Sequence, residues 1–96
     1  MNGYDFNFQT VSPRDINSQI AERLKAVRKR RKISQQKLSE KSGVSLGSVK
    51  RFERSGEISL LSLTKIAIAL EVENELKDLF SDVPFLSIEE VRHAGR

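Results

Sequence analysis

Ser34-Gln35-Gln36-Lys37-Leu38-Ser39-Glu40-Lys41-Ser42-Gly43-Val44-Ser45-Leu46-Gly47-Ser48-Val49-Lys50-Arg51-Phe52-Glu53-Arg54 is the stretch on which the fold turns. Ser34 and Ser45 are the residue type that caps a helix N-terminus, because a side-chain oxygen can accept one of the first unpaired backbone N–H groups. Ser34 therefore opens a short helix from Gln35 to about Lys41, with Leu38 as its main buried position. Gly43 can take the left-handed conformation that closes it. Ser45 opens a second short helix from Leu46 to about Arg54, with Val49 and Phe52 on its inner face and Leu46, Gly47, Lys50, Arg51 and Arg54 outward. Two short helices thus meet through a turn of about four residues centred on glycine.

Outward from this pair, the pattern stays helical. Ser12-Pro13-Arg14-Asp15 combines a capping serine, a proline at the first helical position and a carboxylate three residues after the cap. Ile16, Ile20, Leu24 and Val27 follow at helical spacing and predict a core-facing stripe on a helix ending near Lys32. Its cationic last turn, Arg28 to Lys32, complements the negative end of the helix dipole. On the other side, Ser55-Gly56 marks a turn and Ser59 caps a fourth helix in which Leu60, Leu63, Ile66, Ala67 and Leu70 repeat. Asn74 is read as the cap of a fifth helix with Leu76, Leu79 and Phe80 inward, broken between Ser81 and Pro84. Ser87-Ile88-Glu89-Glu90 is a capping box for a short C-terminal helix to about His93. The expected class is all-α: a five-helix bundle over residues 12–80, an N-terminal arm over 1–11 in which Tyr4, Phe6 and Phe8 alternate, and a tail over 81–96.

Composition narrows the function. The 96 residues carry +4 overall, but Arg23 to Arg54 hold twelve Lys and Arg against Glu40 and Glu53, a local +10, while the remainder carries −6. A basic middle between acidic flanks points to a polyanion partner for the middle. The chain lacks cysteine, so no disulfide or thiolate metal site supports the fold. No apolar run approaches the roughly 20 residues a membrane helix needs, and the N-terminus lacks a signal-peptide pattern, so a cytoplasmic location is expected. His93 is the single histidine, and no paired carboxylates or glycine-rich phosphate loop accompany it; neither enzymatic activity, a metal nor another cofactor is expected.

From Ile16 to Phe80 the sequence resembles the lambda-repressor-like, or Xre-type, helix-turn-helix family of phage repressors, Cro proteins and bacterial regulators. The residues that carry the resemblance are Arg28, Ser34-Gln35-x-x-Leu38-Ser39, Ser42-Gly43-Val44-Ser45, Val49, Glu53 and Leu63-x-x-Ile66-Ala67-x-x-Leu70. Three features depart from the family: Ser39 where alanine is usual, a loop between Glu53 and Ile66 one residue shorter, and Glu71 in place of a customary glycine.

The resemblance implies a protein that reads double-stranded DNA with its third helix. Leu46, Gly47 and Arg51 then occupy base-contacting positions, with Lys50 beside them. Arg51 is chemically the strongest of these, since its planar fork can bind guanine O6 and N7 together. Leu46 can meet a thymine methyl, whereas Gly47 offers no side chain, which leaves part of the selection to DNA shape. Gln35, at the N-terminus of the second helix, matches the family's phosphate-contacting glutamine, and Ser45, Arg54, Arg31 and Lys32 are further phosphate candidates. Ser45 has a competing role as a helix cap. Arg28 and Glu53 match a family ion pair and are assigned to the scaffold. A symmetric operator implies a homodimer, for which the apolar residues Leu79, Phe80, Val83, Phe85, Leu86, Ile88 and Val91 are candidates, with completion of the monomer core as the alternative. Small members of this family also resemble antitoxins, and the rival reading is a chain that represses its own operon while its C-terminal segment neutralises a toxin protein.

Overall fold

The computed structural model describes residues 11–82, and the expectations for the N-terminal arm, the short C-terminal helix and His93 lie outside them. Five helices follow in order: α1 (Pro13–Arg30), α2 (Gln35–Ser42), α3 (Leu46–Ser55), α4 (Leu60–Ala69) and α5 (Glu73–Lys77). The described residues contain no strand. Four helices start on a serine whose hydroxyl oxygen accepts a backbone N–H three residues on: Ser12 from Asp15, Ser34 from Lys37, Ser45 from Ser48 and Ser59 from Ser62, at 3.0–3.1 Å. Each satisfies a donor that the helix itself cannot pair.

The helix ends are equally local in origin. Gly43 (φ 77°) closes α2 by donating to the Ser39 carbonyl, and Gly56 (φ 81°) closes α3 by donating to that of Phe52. α1 and α4 end without glycine. Lys32 (φ 58°) and Glu71 (φ 62°) take the left-handed conformation, and the following residues complete the closure: Ile33 N–H donates to the Arg28 carbonyl and Val72 N–H to that of Ala67. With the 5→2 bonds from Lys32 N–H to the Lys29 carbonyl and from Glu71 N–H to that of Ile68, they offset the cost of a side chain in that region. The absent glycine at 71 therefore leaves the family's helix closure in place.

Ala21, Leu38, Val44, Val49, Phe52, Ile66, Ala67 and Leu70 form the buried apolar core, edged by Leu24, Val27, Ile33, Ile58, Leu63 and Val72. α1 lies chiefly on α3, and α2 bridges α3 and α4. Five apolar residues expected to face inward are exposed instead. Ile16 and Ile20 are exposed, and Ala21 takes the innermost position of α1 instead. A small side chain at 21 lets α1 approach the core closely. Leu60, in the first turn of α4, is 69 % exposed, so the inward stripe begins only at Leu63. α5 starts at Glu73 with Val72, rather than Asn74, at its N-cap, and ends at Lys77. Beyond it the chain turns, with Phe80 at φ 61°, and this break in helical phase leaves Leu79 and Phe80 exposed.

Candidate nucleic-acid interface

The two helices that define the motif are locked by side chains that also link them to α1. Ser39 Oγ donates to the Val44 carbonyl at 2.6 Å, and Val44 N–H donates to Ser42 Oγ at 3.1 Å, so the turn between α2 and α3 is held from within. The family's alanine at 39 is thus replaced by a hydroxyl with a partner of its own. Val49 and Phe52, 0 % and 2 % exposed, fasten the inner face of α3 into the core.

A buried charge fixes the same elements from the other side. Arg28 Nε and Nη2 donate to the two carboxylate oxygens of Glu53 at 2.7 and 3.0 Å, and Nη1 donates to the Ile33 carbonyl at 2.8 Å. The side chains are 9 % and 5 % exposed. Gln35 Nε2 adds a donor to Glu53 Oε1 at 2.9 Å, which brings the start of α2 into the network. Burial disfavours the charged form of Glu53, but the hydrogen bonds from Arg28 and Gln35 and the positive charges of Arg28 and Lys25 outweigh it. Its carboxyl is held below its ordinary value. Arg28, Gln35 and Glu53 therefore tie α1, α2 and α3 into one unit.

The opposite side of α3 is open. Gly47, Lys50, Arg51 and Arg54 are exposed and Leu46 is half-buried. Beyond its chain neighbours and the backbone of its own helix, nothing lies within 4 Å of a Cβ placed on Gly47, so the surface there is bare backbone. Arg51 projects outward but is not free: its Nε and Nη2 donate to Glu57 Oε1 at 2.9 and 2.6 Å, with the two side chains 63 % and 56 % exposed. Lys50, Arg51 and Arg54 line one helix face, which suits the phosphate-rich walls of a groove about 12 Å wide.

The remaining candidates divide. Lys32 stands exposed at the end of α1. Arg31 is paired with Glu71 at 3.2 Å, an exposed contact between the closures of α1 and α4. One N–H of the Gln35 amide is engaged by Glu53, which leaves its second N–H for another acceptor. The Ser45 hydroxyl accepts from Ser48 N–H and donates to Ser48 Oγ at 2.9 Å, so as the chain stands both its functions serve the start of α3. Sequence reasoning missed Glu57 and the Gln35–Glu53 contact. Neither has a local signal, because glycine turns and helix packing, rather than periodicity, bring these groups together.

The family model described as helix-turn-helix matches residues 24–73, more than half of the chain. The chain belongs to the lambda-repressor-like helix-turn-helix family. It is accordingly a DNA-binding transcriptional regulator of the Xre type, and its partner is double-stranded DNA. Comparison with curated proteins and with solved structures finds no match. Within this family assignment, α2 and α3 are the helix-turn-helix pair. Among the described residues, no helix is long and apolar enough to cross a membrane.

Proposed function

We propose that this regulator recognises a specific palindromic operator as a homodimer and represses transcription by occupying it. The observation that carries the reading is the division of α3 into a buried face, Val49 and Phe52, and an exposed face with Lys50, Arg51 and Arg54. Such a helix can enter a major groove without disturbing its own support. Arg51, Lys50, Leu46 and bare Gly47 meet base edges. Arg54, Lys32, Arg31, Ser45 and the free amide hydrogen of Gln35 meet phosphates, Arg31 by leaving Glu71 and Ser45 by turning its hydroxyl from Ser48. Arg28 and Glu53 hold the frame and touch no DNA.

Genomic fragments selected by the full chain test the reading. They should share an inverted repeat whose half-sites lie about 10 base pairs apart, or a multiple of that, and sedimentation of the bound form should give two chains per duplex. Fragments without a common sequence would contradict it. A second reading is favoured by Leu79 and Phe80, 51 % and 83 % exposed where the chain leaves the bundle: an antitoxin whose C-terminal segment covers a toxin protein. Co-purification of one stoichiometric protein, encoded beside this one, with the natively expressed chain supports that role, and recovery of the chain alone opposes it.

A further inference from the structure

We infer that Glu57 determines what Arg51 reads, by holding one edge of its guanidinium and leaving the other edge available for guanine. The inference rests on the reading of α3 as the groove helix. A guanidinium carries five N–H groups in one plane, arranged so that two different edges can each engage a pair of acceptors. Glu57 Oε1 occupies the edge formed by Nε and Nη2, at 2.9 and 2.6 Å. Among the described residues Nη1 has no hydrogen-bond partner, so the edge formed by Nη1 and the second Nη2 hydrogen is available. That edge matches the O6 and N7 acceptors of guanine.

The backbone that carries this carboxylate is itself held in place. Glu57 N–H donates to Ser55 Oγ at 3.2 Å, and Ser55 Oγ donates to the Arg51 carbonyl at 2.7 Å. Gly56, between them, is wedged against α1: a Cβ there would lie 2.7 Å from the Asn17 carbonyl carbon. The turn that carries Glu57 is thus anchored to both α3 and α1. Because the pair stands in solvent, it contributes little to folding stability, and its consequence lies in binding. An unrestrained arginine is satisfied by any phosphate, whereas one with a fixed plane and a neutralised charge loses general affinity and keeps a directional fork. Fixing the side chain before contact also lowers the entropy lost on binding. The negative charge of Glu57 further opposes unselective approach to the backbone. Specificity is a difference of affinities, and both effects widen it.

Selection from a duplex pool with a randomised centre tests this, with the sequences retained by each full-length variant read out and affinity for the unselected pool measured in parallel. The wild type should enrich a guanine at one position of each half-site. Glu57→Ala should cut that enrichment about tenfold and bind the unselected pool more tightly. Glu57→Gln keeps an acceptor oxygen and loses the charge, so it should retain the enrichment while sharing the gain in unselected affinity. In an Arg51→Ala background, Glu57→Ala should alter the enrichment no further. Unchanged enrichment in Glu57→Ala, or an equal loss in the Arg51→Ala background, overturns the inference while leaving α3 in the groove. Enrichment and affinity unmoved by Arg51→Ala alone would overturn the groove assignment and this inference together.

Discussion

Arg28 is a charged residue committed to the interior of the bundle. Its guanidinium satisfies both oxygens of Glu53 and the Ile33 carbonyl in a site with little access to water. Removing it strands a buried carboxylate, and Arg28→Ala should lower the unfolding free energy by about 3–5 kcal/mol, measured by urea denaturation. The pair also predicts a pH dependence. The folded-state pKa of Glu53 is depressed, so its stabilisation is present above the unfolded value of about 4.3 and is lost as pH falls through the folded value. Thermal melts of the wild type and Glu53→Gln should therefore converge on acidification below about pH 4. A constant gap between them from neutral pH to pH 3 would contradict the linkage. This pair, 25 residues apart in sequence, came within reach only through family resemblance, since no local spacing relates its members.

At the scale of elements, three glycines that look alike in the sequence should respond differently to alanine. Gly56→Ala combines a left-handed backbone with a collision against Asn17, and should cost at least about 3 kcal/mol because α1 and the α3–α4 turn must separate. Gly43→Ala has the same backbone cost but open space, so about 1–2 kcal/mol is expected. Gly47→Ala, within α3 and unobstructed, should stabilise by about 0.5–1 kcal/mol. Calorimetric melts of the three variants check the order, and a destabilised Gly47→Ala would contradict it. The starts of α1 to α4 were legible because a serine cap is a signal contained within four residues. The start of α5 was not, because the chain passes from the closure at Glu71 and Val72 into the next turn without a side-chain cap. Apolar spacing likewise predicts buried Ile16, Ile20, Leu60, Leu79 and Phe80, all exposed here, since periodicity reports a stripe but not which of its members a neighbouring element covers.

For the molecule as a whole, the sequence displayed the concentration of positive charge and the order of the helices, while the contacts that turn this charge into a directed surface arise only on folding. Arg31 is drawn to Glu71 and Arg51 to Glu57, which divides the basic window into paired and unpaired cations. Lys32, exposed at the end of α1, should act through phosphate alone: Lys32→Ala should weaken selected and unselected duplexes by similar factors and reduce the slope of log affinity against log salt by about 0.9. An effect confined to selected DNA would contradict that role. The proposed function turns on Arg51 reading bases from the exposed face of α3. It is tested most directly by measuring the affinity of the wild type and Arg51→Ala for the duplex the wild type selects, and for the same duplex with each guanine–cytosine pair replaced in turn. One replacement per half-site should cost the wild type about 1–3 kcal/mol and cost Arg51→Ala nothing; if every replacement costs both proteins the same, Arg51 does not read the operator.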